Sequence, residues 1–261
     1  MLACAEDAAP NLKVERALDA GSSFTAYLVS YRHSGLNLHA LVAAPRAPTP
    51  ANGYPVVIAN HGFVPDPRKY GITADGRDSR PGDYYRSVPE LYASRGFLVV
   101  MPDYRGHNSS EGFEQIDGQN WESVSLYAED VIALLPLLSD IANVDLDNVF
   151  MWSHSMGGAV SMRVLLATDV VKAASFWSTM SVEDLAGQFD KVDGPVMIQH
   201  ATGDKTTPHS NSDMMAEALA SAGHPYTQHS YATDNHFFDG DVRELAADRD
   251  AAFFHVLIGS P

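Results

Sequence analysis

One cysteine, Cys4, stands in the whole chain, so an internal disulfide is excluded and bridges say nothing about compartment. No apolar run approaches the ~20 residues that a membrane-spanning helix needs. Basic residues are scarce: 17 Lys and Arg stand against 33 Asp and Glu, a net charge of −16. Binding to nucleic acid requires a basic face, so no nucleic-acid partner is expected, and anionic membranes are disfavoured for the same reason. The acidity reads as a solubility feature. Neither an H-E-x-x-H pattern nor a Cys-His cluster occurs, so no metal and no other cofactor is expected. Internal repeats are absent as well.

What is present is an alternation of short apolar runs and helical spacings. Residues 1–20 are rich in Ala and acidic side chains and read as a loosely held arm with at most a short helix, leaving 21–261 as a single catalytic domain. The opening Met1-Leu2-Ala3-Cys4 has a faint likeness to the end of a bacterial export signal, yet no basic or apolar segment precedes it. A cytoplasmic start is therefore preferred over an exported protein with its signal removed. Phe24–Tyr31 and Leu38–Val42 alternate as strands about a Ser34-Gly35 turn, an antiparallel hairpin. Val56–Ala59, Phe97–Met101, Asn148–Trp152, Val171–Trp177 and Pro195–His200 are apolar runs of the kind buried on both faces of a parallel sheet. Helical spacings separate them, with Pro136 ending or kinking the one that starts at Trp121. The expected fold is a three-layer α/β/α sandwich around a mostly parallel sheet.

The stretch Ser153-His154-Ser155-Met156-Gly157 follows the third of those runs. A serine bracketed by small residues between a strand and a helix describes a nucleophile elbow, with Ser153 where G-x-S-x-G has its first glycine. A serine hydroxyl is a poor nucleophile at neutral pH and needs an imidazole as base and an acid to orient that imidazole. Loops that follow parallel strands converge on one edge of the sheet. Asp204 follows the strand ending at His200, and Asp234-Asn235-His236 follows the last strand, near Tyr231. The order Ser, Asp, His results, each residue just past its own strand; Asp234 is the rival acid.

That order and placement resemble the α/β-hydrolase superfamily, and within it the prolyl oligopeptidase-like and dienelactone hydrolase-like serine hydrolases. The likeness runs from Phe24 to Leu257. It rests on His61-Gly62, on Asp103-Tyr104-Arg105-Gly106, on Ser153-His154-Ser155-Met156-Gly157-Gly158, on Asp204 with Thr207-Pro208, and on His236. The resemblance implies Ser155 as nucleophile, His236 as general base and acid, and Asp204 as its orienting partner. It also implies an oxyanion hole made by the backbone N–H groups of Phe63 and Met156, the latter at a helix N-terminus.

Around these groups, His61, Gly62, Tyr70, Tyr84 and His154 are candidate substrate-binding residues, and Tyr85 is a further lining candidate. The long loop from Val64 to Asp83 is a candidate cover. His61 and His154 are also readable as architecture of the oxyanion loop and the elbow, and Arg105 as a structural residue. The segment Ser178–Gly194 has room for only a minimal cap, so an open site is expected. The implied activity is hydrolysis of carboxylic esters, with small or aryl acyl groups, through an acyl-enzyme. The alternative is a small serine peptidase or amidase acting on short peptides. A binding protein on the same fold is disfavoured by the intact Ser155, Asp204 and His236.

Overall fold

A computed structural model describes residues 11–18, 20–64, 67–69, 84–116 and 121–259. Nine strands form one sheet in the order β1-β2-β3-β5-β4-β6-β7-β8-β9. They are β1 (Lys13–Leu18), β2 (Phe24–His33), β3 (Leu36–Pro45), β4 (Tyr54–Asn60), β5 (Leu98–Asp103), β6 (Val144–His154), β7 (Ala173–Trp177), β8 (Val196–Ala201) and β9 (Tyr226–Tyr231). The first three, and the β3–β5 pair, are antiparallel, and every pairing from β4 to β9 is parallel. Among the described residues, five α-helices accompany them: α1 (Val88–Ala93), α2 (Trp121–Leu134), α3 (Met156–Ala167), α4 (Ser210–Ser221) and α5 (Gly240–Leu257). Among the described residues, no helix is long and apolar enough to cross a membrane.

Successive side chains of a strand point to opposite faces, and that period of two divides the core. Val56 and Ile58 of β4 and Val149 and Met151 of β6 join α2, α3 and α4 in one cluster. Their neighbours Val57, Ala59, Phe150 and Trp152 join α1 and α5 in the other. The three layers follow from strands that are apolar on both sides. Ser34 and Gly35 both have positive φ, the conformation a two-residue type I′ hairpin turn demands, and they join β2 to β3 with His33 facing Leu36.

One element departs from the sequence reading, and one follows it. The arm expected over residues 1–20 is corrected at Lys13–Leu18, which pair with β2 as the edge strand β1. Only Leu18 of that strand is buried, so ladder hydrogen bonds, rather than an apolar face, recruit it. Lys13, Glu15 and Arg16 on an edge discourage further pairing. The helix from Trp121 ends its α-turns at Leu134 and continues as a 3₁₀ turn over Leu135–Asp140. Pro136 has no N–H to donate to the carbonyl four residues back, which accounts for the change.

One buried carboxylate of α5 gathers side chains from the sheet and from α1. Asp250, wholly buried, accepts hydrogen bonds from Tyr92 Oη at 2.6 Å, Trp177 Nε1 at 2.8 Å and Gln199 Nε2 at 2.6 Å. Tyr231 in turn donates to Gln199 Oε1. Burial raises the Asp250 carboxyl to about 7, against the lowering pull of bonds from Ser175, Tyr92, Trp177 and Gln199. A carboxyl raised on folding favours the protonated form in the native state. Its contribution to stability is complete below the unfolded value near 4 and is lost as pH rises through about 7. The loss in unfolding free energy caused by Asp250→Asn is therefore expected to be larger at about pH 5 than at about pH 8, by up to about 3 kcal/mol. Urea denaturation at the two pH values measures it, and a loss independent of pH would contradict the assignment.

Candidate active site

β6 ends at His154 and α3 begins at Met156, so Ser155 occupies the turn between them. Its φ of 56° and ψ of −123° are unusual for a residue with a side chain, a strain worth on the order of 1–3 kcal/mol that the surroundings must hold. They do so through its own backbone. Ser155 N–H donates to Trp177 O at 3.0 Å, and Ser155 O accepts from Gly158 N at 3.0 Å and Met180 N at 3.1 Å. Gly157 is required here because a Cβ would lie 2.1 Å from Asn60 O. Ser153, which replaces the usual glycine, is buried and donates to Ser175 O at 3.3 Å. Its hydroxyl is thus accommodated, so Ser153→Gly is expected to cost about 1 kcal/mol of stability and to change kcat/KM by less than about threefold. Urea denaturation and ester kinetics check both figures.

Asp204 and His236 come from the loops after β8 and β9, and they meet. His236 Nδ1 donates to Asp204 Oδ2 at 2.6 Å. Asp204 is nearly buried, and its other contacts are donors: Thr206 N at 2.8 Å and Thr207 N at 3.1 Å to Oδ1, and Thr207 Oγ1 at 3.1 Å to Oδ2. His200 Nε2 lies 3.4 Å from Oδ2 on the other side. Burial by itself would raise the Asp204 carboxyl, but the bonds from His200, His236 and Thr207 outweigh it and hold it well below the usual carboxylate range. An ionised Asp204 fixes the proton of His236 on Nδ1 and leaves Nε2 as the basic nitrogen. Asp234, the rival acid, packs against Gly203 instead.

The loop after β4 passes directly over the elbow. A Cβ on Gly62 would lie 2.6 Å from Tyr85 Oη and 2.8 Å from Ser155 Cβ, so glycine is what permits this approach. His61 Nδ1 lies 2.8 Å from Gly62 O and holds that carbonyl inward. In a trans peptide the next N–H, that of Phe63, points the opposite way. Met156 opens α3, where backbone N–H groups have no partner within the helix. The Phe63 side chain is 50% exposed.

Several expected substrate contacts are corrected. His61 and His154 are fully buried, and neither ring offers a surface to a ligand. His61 stacks on Tyr104 at 4.2 Å between centroids, with His107 beside it, and burial holds it well below its ordinary value and neutral. His154 is likewise held neutral, by burial first and by His236 second. Tyr85 is buried too, so it packs behind the site and does not line it. Tyr70 and the side chain of Tyr84 lie outside the described residues, as does most of the 64–83 loop. Arg105 is structural: it is buried and forked onto Asp130, with Nη2 at 2.7 Å from Oδ1 and Nε at 3.1 Å from both oxygens. His200 and Thr207, which surround Asp204, carried no role in the sequence reading; the four-residue spacing of His200 and Asp204 was the available signal.

Residues 81–255, more than half of the chain, match the dienelactone hydrolase family. The chain belongs to that family. It is a hydrolase of the α/β-hydrolase fold, and the family match takes in Ser155, Asp204 and His236 but begins after the His61-Gly62 loop. The Bacillus subtilis (strain 168) protein named uncharacterized peptidase YtmA is 24% identical over 246 residues, covering 81% of this chain and 86% of that protein. Among solved structures, Porphyromonas gingivalis dipeptidyl peptidase 4 superposes with a TM-score of 0.70 at 19% identity over 90% of this chain. The chain spans only 36% of that larger enzyme's length. Acetyl xylan esterase from Paenibacillus sp. R4 has the same TM-score of 0.70 at 13% identity, covering 94% of this chain and 89% of its own. At such identities these two share the fold with this dienelactone hydrolase family member.

Proposed function

We propose that this hydrolase cleaves carboxylic esters through an acyl-enzyme formed on Ser155, with His236 as general base and acid and Asp204 orienting it. The observation that carries the reading is the 2.6 Å contact between Asp204 Oδ2 and His236 Nδ1, made across the edge of the sheet from the strained Ser155 turn. Ser155 Oγ attacks the ester carbonyl while His236 Nε2 takes its proton. The oxyanion is received by the N–H groups of Phe63 and Met156, each worth roughly 10²–10³ in rate. His236 returns the proton to the leaving alcohol, and water, activated by the same nitrogen, releases the acid and restores the serine. Among the described residues, the cap is one short 3₁₀ helix over Glu183–Lys191, anchored by the buried Phe189. So small a cap favours an open site for short acyl or aryl esters.

A second reading, a small serine peptidase or amidase, is favoured by the peptidase names of YtmA and dipeptidyl peptidase 4. The same machinery serves it, since His236 can protonate an amine as it does an alcohol. Nitrophenyl esters of graded acyl length, assayed beside aminoacyl nitroanilides, separate the two. Ester turnover falling with acyl length and little anilide turnover is the expected result; faster anilide cleavage would replace the ester reading.

A further inference from the structure

Two side chains that take no part in the proposed reaction form a hydrogen-bonded chain between the loops flanking Ser155. Gly62 N–H donates to Tyr85 Oη at 2.8 Å, Tyr85 Oη lies 2.7 Å from His154 Nδ1, and His154 Nε2 lies 2.9 Å from the carbonyl oxygen of His236. The proton order follows from what each atom can do. A carbonyl oxygen only accepts, so Nε2 of His154 carries the hydrogen. His154 is wholly buried and neutral, so its Nδ1 is an acceptor and the Tyr85 hydroxyl donates to it. The lone pairs of that hydroxyl then receive Gly62 N–H. Each link runs in one direction only.

The chain is rigid as well as continuous. Tyr85 is 2% exposed and its ring packs against His154 at 5.7 Å and Phe237 at 5.4 Å between centroids. The His154 ring lies 4.4 Å from that of His236. One end of the chain grips the residue before Phe63, the proposed oxyanion donor; the other grips the backbone of His236, the proposed base. A shift of either loop is therefore transmitted to the other through two buried side chains, neither of which touches substrate.

We infer that Tyr85 and His154 are positioning residues that set the oxyanion loop and the His236 loop as one unit, an inference that rests on the serine-hydrolase reading above. The Tyr85 hydroxyl is the joint of this unit. Removing it leaves Gly62 N–H and His154 Nδ1 without this partner and the two loops unlinked, while the ring packing stays.

The test compares the full chain with Tyr85→Phe, His154→Asn and the double variant on a nitrophenyl ester, each rate expressed per folded molecule from urea curves. Displacements of about 1 Å in a reacting group cost up to roughly 10²-fold, so each single variant is expected to lower kcat by roughly 10- to 100-fold. KM should move by less than about threefold, because no binding contact is lost. The double variant should be no slower than the worse single one, since either break severs the same chain. Either single within about twofold of wild type, or losses that multiply in the double variant, would overturn the inference. Should Tyr85→Phe fail to fold, His154→Asn and His154→Gln are judged by the same kcat criterion. A Ser155→Ala variant as active as wild type would remove the serine-hydrolase reading and this inference with it. An inactive Ser155→Ala beside an unimpaired Tyr85→Phe would remove this inference alone.

Discussion

Ser155→Ala is expected to lower ester hydrolysis by on the order of 10⁴–10⁶-fold while leaving the fold in place, because it removes the proposed nucleophile. The structure makes the second half of that expectation specific. The turn is held through Ser155 N–H and O, which bond Trp177, Gly158 and Met180, and alanine keeps both backbone groups. The residue is in positive φ either way. A melting temperature within a few degrees of wild type and a kcat at background are the paired readouts. A variant that retains kcat would mean that the strained serine serves the fold and another group does the chemistry.

Asp204→Asn is expected to be nearly as damaging, with kcat falling by roughly 10⁴-fold, because an amide can present its NH₂ to His236 and stabilise the wrong tautomer. Oδ1 of Asp204 accepts two backbone N–H groups, from Thr206 and Thr207, and Oδ2 faces His236. An asparagine satisfies the loop only with its oxygen towards Thr206 and Thr207. That places its NH₂ against His236 Nδ1, which must then accept, and moves the ring proton to Nε2, where it blocks attack by Ser155. The loop conformation is preserved and the base is lost. Asp234→Asn serves as the control: Cα and Cβ of Asp234 lie against Gly203 while His236 Nδ1 bonds Asp204, so activity should stay within about threefold of wild type. The reverse pattern would transfer the acid role to Asp234. The depressed Asp204 value adds a stability term of fixed sign. Its stabilising contribution is present above the unfolded carboxyl value near 4 and fades only as pH falls towards its folded value, opposite to the trend at Asp250.

The candidate site is legible in the sequence to the extent that its logic is local. Ser155 was marked by a strand, small residues and a helix, and Asp204 and His236 by their positions after successive apolar strands. A parallel sheet guarantees that such loops share one edge. β1 was not legible because five of its six residues face outwards, so no period-2 apolar pattern records its pairing with β2. For His61 and His154 the sequence left two readings open, substrate contact and loop architecture, and the burial of Tyr85 was not legible, for a different reason. Polar rings near a serine read as substrate contacts until tertiary packing shows that Tyr104, Phe237 and the two loops enclose them. Asp250 was invisible for the same cause: its partners come from α1, β7 and β8, and nothing in the helical spacing of α5 marks one acid among many as an internal one.

Whether Ser155 is an activated nucleophile decides the proposed chemistry. A fluorophosphonate probe, followed by digestion and mass spectrometry of the labelled peptide, measures that without knowledge of the natural substrate. The expected result is stoichiometric labelling of wild type on Ser155, suppressed in Asp204→Asn and absent in Ser155→Ala. Wild type that does not react, or Ser155→Ala that labels equally, would contradict it.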